Sequence, residues 1–279
     1  MRNIKIIEVR SEIGAGTRGA SLGIDAIKIA ALDFMSNLFV NFPSDIIENE
    51  NRLLYEPIAS PYAKRIQGIY TMYDRVSKAV CDTVKSGLFP LILAGDHSTS
   101  GATIAGLKMA RPKRRLGIVW IDAHADMHSP YTTPSGNMHG MPLAISLAED
   151  NIENQVHNPD PQTLEYWKKL KNIGKIEPKI LPEDIVFISL RDFEKEEEAI
   201  IKKVPKYETF TRMQITGAYL AMQKRVTSFI SLPVEERYLF FTKLYPDIVQ
   251  RVPQHMIASY MGLTPETLSR VRKKIASSK

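Results

Sequence analysis

Residues 116–144 read L-G-I-V-W-I-D-A-H-A-D-M-H-S-P-Y-T-T-P-S-G-N-M-H-G-M-P-L-A. An apolar run, Leu116 to Ile121, reads as a buried strand, and behind it Asp122, His124 and Asp126 follow at a spacing of two. In an extended segment alternate side chains share a side, so two carboxylates and an imidazole are expected to converge. Carboxylate oxygen with imidazole nitrogen suits a divalent ion such as Mn or Zn. Ser135, Gly136, Asn137 and His139 then form a polar, turn-rich loop where a small substrate could sit.

Upstream, the pattern alternates strand and helix, as in an α/β fold with a parallel sheet. Ile4 to Val9 alternates apolar and charged residues and reads as a first strand. Gly14-Ala-Gly-Thr-Arg-Gly19 follows, then a helical pattern from about Ile24 to Phe39. This is a literal G-x-G-x-x-G, yet no acidic-ended second strand follows about 20 residues on, as a dinucleotide ribose contact needs. It reads as a glycine-rich turn. Residues 41–60 look irregular, and Tyr62 to Ser86 reads as an amphipathic helix ending at Gly87. Leu88 to Ala94 reads as a buried strand ending in Gly95-Asp96-His97-Ser98. A lone His there is commonly structural. Here the next strand also ends in acidic and imidazole groups, which favours His97 as a ligand at the end where open α/β sheets bind theirs. Lys108 to Arg115 reads as a solvated basic connector, and Ile185 to Leu190 as a further buried strand.

Composition narrows the class. Apolar content of 44% and charge of 24% are those of a globular protein. The single cysteine, Cys81, excludes an internal disulfide and points to a reducing, cytoplasmic setting. No apolar run reaches the length of a membrane span, and the N-terminus lacks a signal-peptide core. The net charge of +6 is concentrated late: residues 205–279 hold 12 Lys+Arg against 5 Asp+Glu. A basic tail on a near-neutral body suggests a second part facing a polyanion.

At about Lys203 the strand–helix alternation stops. Lys206 to Leu232 reads as one long amphipathic helix, and Pro233 to Leu244 as another. Val252 to Ile275 reads as helix, glycine turn, helix, with Thr264 as cap and Pro265 in the first turn. Ile257, Ala258, Leu263, Leu268 and Val271 would form its small core.

Residues 1–203 resemble the arginase/ureohydrolase family through Ser11-Glu-Ile-Gly-Ala-Gly-Thr-Arg-Gly-Ala, Gly95-Asp-His-Ser, Asp122-Ala-His-Ala-Asp, Ser135-Gly-Asn-Met-His-Gly and Leu190-Arg-Asp. The resemblance implies an α/β doubly wound parallel sheet and a two-Mn site with His97, Asp122, His124 and Asp126 as ligands. It implies hydrolysis of a guanidino or amidine C–N bond by metal-activated water, with Ser135, Asn137 and Asp192 binding substrate and His139 relaying a proton. His128 stands where arginases commonly carry Asn, which leaves the substrate open. The family's second Asp-x-Asp motif and last two strands have no counterpart here. The sheet is therefore expected to be incomplete, with two unpaired interior edges, and to hold at most one manganese ion well.

Residues 204–279 resemble the C-terminal part of the cyclic-AMP receptor protein/fumarate-nitrate regulator family. That implies an all-α helix-turn-helix domain binding double-stranded DNA through residues 251–275. Glu266, Ser269 and Arg270 fall on base-reading positions, and homodimerisation would run through residues 206–232. Three readings follow: an impaired ureohydrolase; a DNA-binding regulator with a ureohydrolase-like part; and, favoured by the sequence, a misplaced junction near Lys203 joining two fragments without native activity.

Overall fold

The computed structural model describes residues 3–42, 44–204, 217, 219–220, 222–223 and 232–277. The expected dimer helix over 206–232 lies almost wholly outside them. The chain divides into two compact units, Met1–Phe210 and Thr211–Lys279.

In the first unit β1 (Ile4–Val9), α1 (Leu22–Asp33), α2 (Leu38–Asn41) and β2 (Ser44–Ile47) come first. α3 (Ile66–Lys85), β3 (Phe89–Ala94), α4 (Ser100–Ala110) and β4 (Ile118–Ile121) follow. α5 (Pro142–Leu147), α6 (Pro161–Lys171), β5 (Ile185–Ile188) and α7 (Lys195–Ile201) complete the order. All pairings are parallel, in two separate sheets: β2-β1-β3, and β4-β5. Helices supply the crossovers that parallel pairing requires.

The first core packs the apolar face of α3 (Ile69, Met72, Val76, Val80) against Ile7 and Val9 of β1 and Ala102 and Ala105 of α4. The second gathers Trp120 of β4, Ile185 and Phe187 of β5, and Ile200 and Ile201 of α7.

β3 and β4 were expected to be buried, and they are so only in part. Phe89 is 48% exposed, Val119 62% and Ile121 71%. Among the described residues β3 and β4 each pair on one side only, which leaves them open. A cavity of about 340 Å³ opens between them, lined by Ile92, Ala94, His97, Ile104, Val119 and Trp120.

Three local readings need correction. Residues 41–60 contain a strand, β2, paired to β1 from Ile6↔Ser44 to Val9↔Ile47; its polar start behind Pro43 hid it. The helix read over Ile24–Phe39 is two helices, because Met35 takes φ 52°, where a right-handed helix cannot continue. α3 starts at Ile66, since Arg65 sits at φ 57°.

In the second unit α8 (Val234–Leu244), α9 (Pro246–Arg251), α10 (Gln254–Tyr260) and α11 (Pro265–Ser277) surround one small core. Ile257, Ala258, Leu268 and Val271 are buried as read, Leu263 is partly buried, and Tyr238 and Phe241 of α8 complete it. Gly262 turns the chain at φ 65°, and Thr264 Oγ1 accepts from Thr267 N at 3.2 Å, capping α11.

Candidate functional site

The glycine-rich loop is tied down by carboxylates. Asp96 Oδ2 accepts from Gly14 N at 3.1 Å and Ser11 Oγ at 3.2 Å, while Oδ1 accepts from Ser98 N at 2.8 Å. Glu12 accepts from Gly19 N at 3.0 Å and from Ser21 N at 2.9 Å. The N–H groups of Gly14 and Gly19 are therefore taken, by carboxylates, which speaks against a phosphate there. Gly14 is required here: a Cβ would lie 2.4 Å from Ser98 Oγ and 2.6 Å from Asp96 Oδ1.

Asp96 holds the loop against the end of β3, which presents His97. The His97 ring stacks on Trp120 of β4, with centroids 4.9 Å apart. Its Nδ1 lies 3.0 Å from Asp122 Oδ2 and 3.3 Å from Asp126 Oδ2. One ligand atom from each of the three residues falls within 4.8 Å of the others. Burial pushes the His97 imidazole below its usual value, with Asp122 opposing, so the ring is neutral and its lone pair available. Asp126 is 5% exposed, and its Oδ2 is buried without a hydrogen bond. Burial, then the charge of Asp122, pushes its carboxyl up to about 7. A buried carboxylate oxygen without a donor, beside a second carboxylate and a neutral imidazole, fits a divalent cation.

The four proposed ligands do not converge by strand alternation, as the spacing suggested. β4 ends at Ile121, and Asp126 sits at φ 53°, in the left-handed region. This turn brings Asp126 to His97 and Asp122. His124 is left outside the three-residue cluster, its Nδ1 3.5 Å from Asp122 Oδ1 and its Nε2 3.9 Å from Asp192 Oδ2. The residues present therefore fit one ion well.

His139 lies in a short turn, Met138–Gly140, against the glycine-rich loop. Its Nδ1 is 3.2 Å from Gly14 O. A carbonyl only accepts, so Nδ1 carries the proton and Nε2 is free to take one. Asn137 Oδ1 accepts from Lys64 Nζ at 3.1 Å, and Ser135 Oγ accepts from Asn137 N at 3.2 Å. Asp192 is held by its N–H donating to Ala123 O at 3.0 Å.

Lys64, Trp120 and the anchoring carboxylates Glu12 and Asp96 were not singled out from the sequence. Nothing in the local spacing marks Lys64, Trp120 or Asp96, which act across a long stretch of chain. A second mixed cluster was also missed: His128, Glu194 and Glu197. The acidic run at 194–198 reads locally as a helix start, and Glu194 and Glu197 do form a capping box there.

The profile described as "Arginase family" matches residues 2–234, continuing past Lys203. The arginase of Brevibacillus brevis is 32% identical over 214 residues, covering 73% of this chain and 62% of that protein. The arginase of Bacillus caldovelox is 32% identical over 206 residues, with the same coverage. Among solved structures, arginase from Bacillus subtilis superposes with TM-score 0.55 at 30% identity, covering 73% of this chain and 62% of that one. Entamoeba histolytica arginase, solved in complex with L-ornithine, gives TM-score 0.57 at 27% identity, covering 72% and 63%. The chain thus spans 62% of the length of these two curated relatives. With the glycine-rich loop, the His97 strand end and the Asp122–Asp126 turn in place, the chain belongs to the arginase family.

Proposed function

We propose that the first unit hydrolyses a C–N bond of a guanidino or amidine substrate, using manganese held by His97, Asp122 and Asp126, with His124 beside them. The convergence of these groups around the unbonded Asp126 Oδ2 carries this reading. A bound divalent ion supplies a Lewis acid and activates water. The two carboxylates neutralise its charge, and His97 offers a neutral nitrogen. His139, fixed by Gly14 O, offers Nε2 to accept the water's proton and return it to the leaving nitrogen. Asp192, an exposed carboxylate, suits the cationic end of a substrate, and Lys64 with Asn137 suits a carboxylate. This pairing of charges favours arginine over agmatine, which lacks the carboxylate.

The test is a Mn(II) titration of the purified chain, assayed for urea release from arginine and agmatine. Expected is Mn-dependent release from arginine, lowered about a hundredfold or more by Asp126→Ala. No release from either substrate at saturating Mn(II) would sink the reading.

One observation favours a second reading, that the second unit binds DNA. α10 and α11 meet through a tight glycine turn, and Glu266, Ser269 and Arg270 are all exposed on α11. In this reading α11 enters the major groove, Arg270 bonds guanine O6/N7 and Glu266 accepts from cytosine N4. In this reading residues 251–275 contact the duplex. Duplex binding should weaken steeply with salt. Arg270→Ala should cost about 1–3 kcal/mol and relax sequence preference; unchanged binding in that variant would reject the recognition helix.

A further inference from the structure

At the end of β3 and β4 away from His97 and Asp122, the turn joining α4 to β4 is crowded with cations. Arg114 N donates to Arg111 O at 3.0 Å, and Lys108 Nζ donates to Arg114 O at 2.8 Å, so the turn is closed by its own groups. Arg115 is answered by acids: its Nε bonds Asp184, and its Nη2 lies 3.7 Å from Glu183. Arg111 and Arg114 are exposed and have no such carboxylate among the described residues.

A cavity of about 510 Å³ opens beside them. Val84 of α3, Leu107 of α4 and the start of β3, Leu88 to Pro90, give it an apolar wall, and Arg111 and Arg114 line it as well. Phe89 is 48% exposed, an aromatic ring left open. The volume lies in the range of small-ligand sites, about 300–1,000 Å³. The strand edge narrows the occupant. Phe89 N donates to Asn3 O and Gly95 N to Val9 O, each at 2.9 Å, so the odd-numbered residues of β3 face β1. Alternate residues of a strand bond to opposite edges, which turns Pro90 toward the free edge. Pro90 has no N–H to give there, and prolines so placed block strand addition. A small molecule therefore fits this end better than a polypeptide strand. Two guanidinium groups without acids suit a phosphate dianion, which they bond through paired N–H groups. The open ring of Phe89 suits a flat body carrying that phosphate.

We propose that this cavity binds an organic phosphate monoester with an aromatic body, its phosphate on Arg111 and Arg114 and its ring on Phe89. A nucleoside monophosphate and a simple aryl phosphate share this chemistry. The site has no residue in common with the cluster of His97, Asp122 and Asp126, so it stands apart from the hydrolase reading.

The test is calorimetric titration of the full chain, in chelator, with adenosine monophosphate, phenyl phosphate and inorganic phosphate. Wild type is compared with the double variant Arg111→Ala, Arg114→Ala, with Phe89→Ala and, as a control in the second unit, with Arg270→Ala. All four side chains are exposed, and circular dichroism checks that the fold is kept. Expected is one saturable site for the esters, weakened about tenfold or more in the double arginine variant and about fivefold or more in Phe89→Ala. Inorganic phosphate should bind more weakly than either ester and be indifferent to Phe89→Ala. Tighter binding of adenosine monophosphate than of phenyl phosphate would assign a nucleotide, and the reverse or equality an aryl phosphate. No saturable ester binding, binding unchanged in the double arginine variant, or binding lost in Arg270→Ala instead would overturn the proposal.

Discussion

Asp126 carries three costs at one residue. Its backbone is left-handed, its side chain is buried, and its carboxyl is pushed up to about 7 by burial and by Asp122. Without metal, the folded state therefore holds a proton more tightly than the unfolded state, where the ordinary value is 3.8. Stability contributed at this position is present at acid pH and lost as pH rises from about 4 through 7. Asp126→Asn removes that dependence. In chelator, the variant should be more stable than wild type at pH 8 by on the order of 3 kcal/mol, and equal to it near pH 4, while binding Mn(II) more weakly. Denaturant unfolding at both pH values checks this, and parallel curves for the two proteins would refute it. At this scale much was legible. Donor types and spacing marked His97, Asp122 and Asp126, because metal chemistry restricts which side chains can serve. The displacement of His124 was not legible, since it depends on β4 stopping at Ile121.

At the scale of elements, β1, β2 and α1 are joined through Glu8, whose side chain is wholly buried. Arg10 Nη2 lies 2.9 Å from its Oε2, Lys28 Nζ lies 2.5 Å from its Oε1, and Ser44 Oγ donates to it. Burial pushes this carboxyl up, but the hydrogen bonds from Lys28, Ser44 and Arg10 win and hold it below the usual range. Glu8→Ala should cost about 2–3 kcal/mol, less than a fully buried pair because Arg10 and Lys28 keep contact with water. A denaturation midpoint unchanged from wild type would show the network to be idle. The strongest periodic elements, α3, β1 and α11, were legible from apolar spacing. β2 was not, because a short edge strand of Ser, Asp and Ile has no pattern of its own. It exists because β1 offers an edge and Glu8 a partner for Ser44.

At the largest scale, the first unit holds two parallel sheets whose facing strands, β3 and β4, have a partner on one side only among the described residues. Strands rich in Val and Ile, as in a sheet covered on both faces, leave Val119 and Ile121 open to solvent. Such a surface attracts other chains. Val119→Lys should lower light scattering on incubation at 37 °C, with the melting temperature unchanged, because the side chain it replaces packs little. Scattering equal to wild type would place the aggregation-prone surface elsewhere.

The sequence by itself determined the class of fold, the order of its main elements and three residues, His97, Asp122 and Asp126, whose donor atoms the structure brings within 4.8 Å of one another. These follow from local periodicity and from the chemistry of donor atoms, both of which are written residue by residue. Only the tertiary structure decided that Asp96 and Glu12 occupy the glycine-rich loop, that His124 stands aside, and that His128 meets Glu194 and Glu197. Asp96 with Gly14, and His128 with Glu194 and Glu197, join residues far apart in the chain. Which side chains meet there depends on where strands end and how backbones turn, and no spacing along the sequence carries that information.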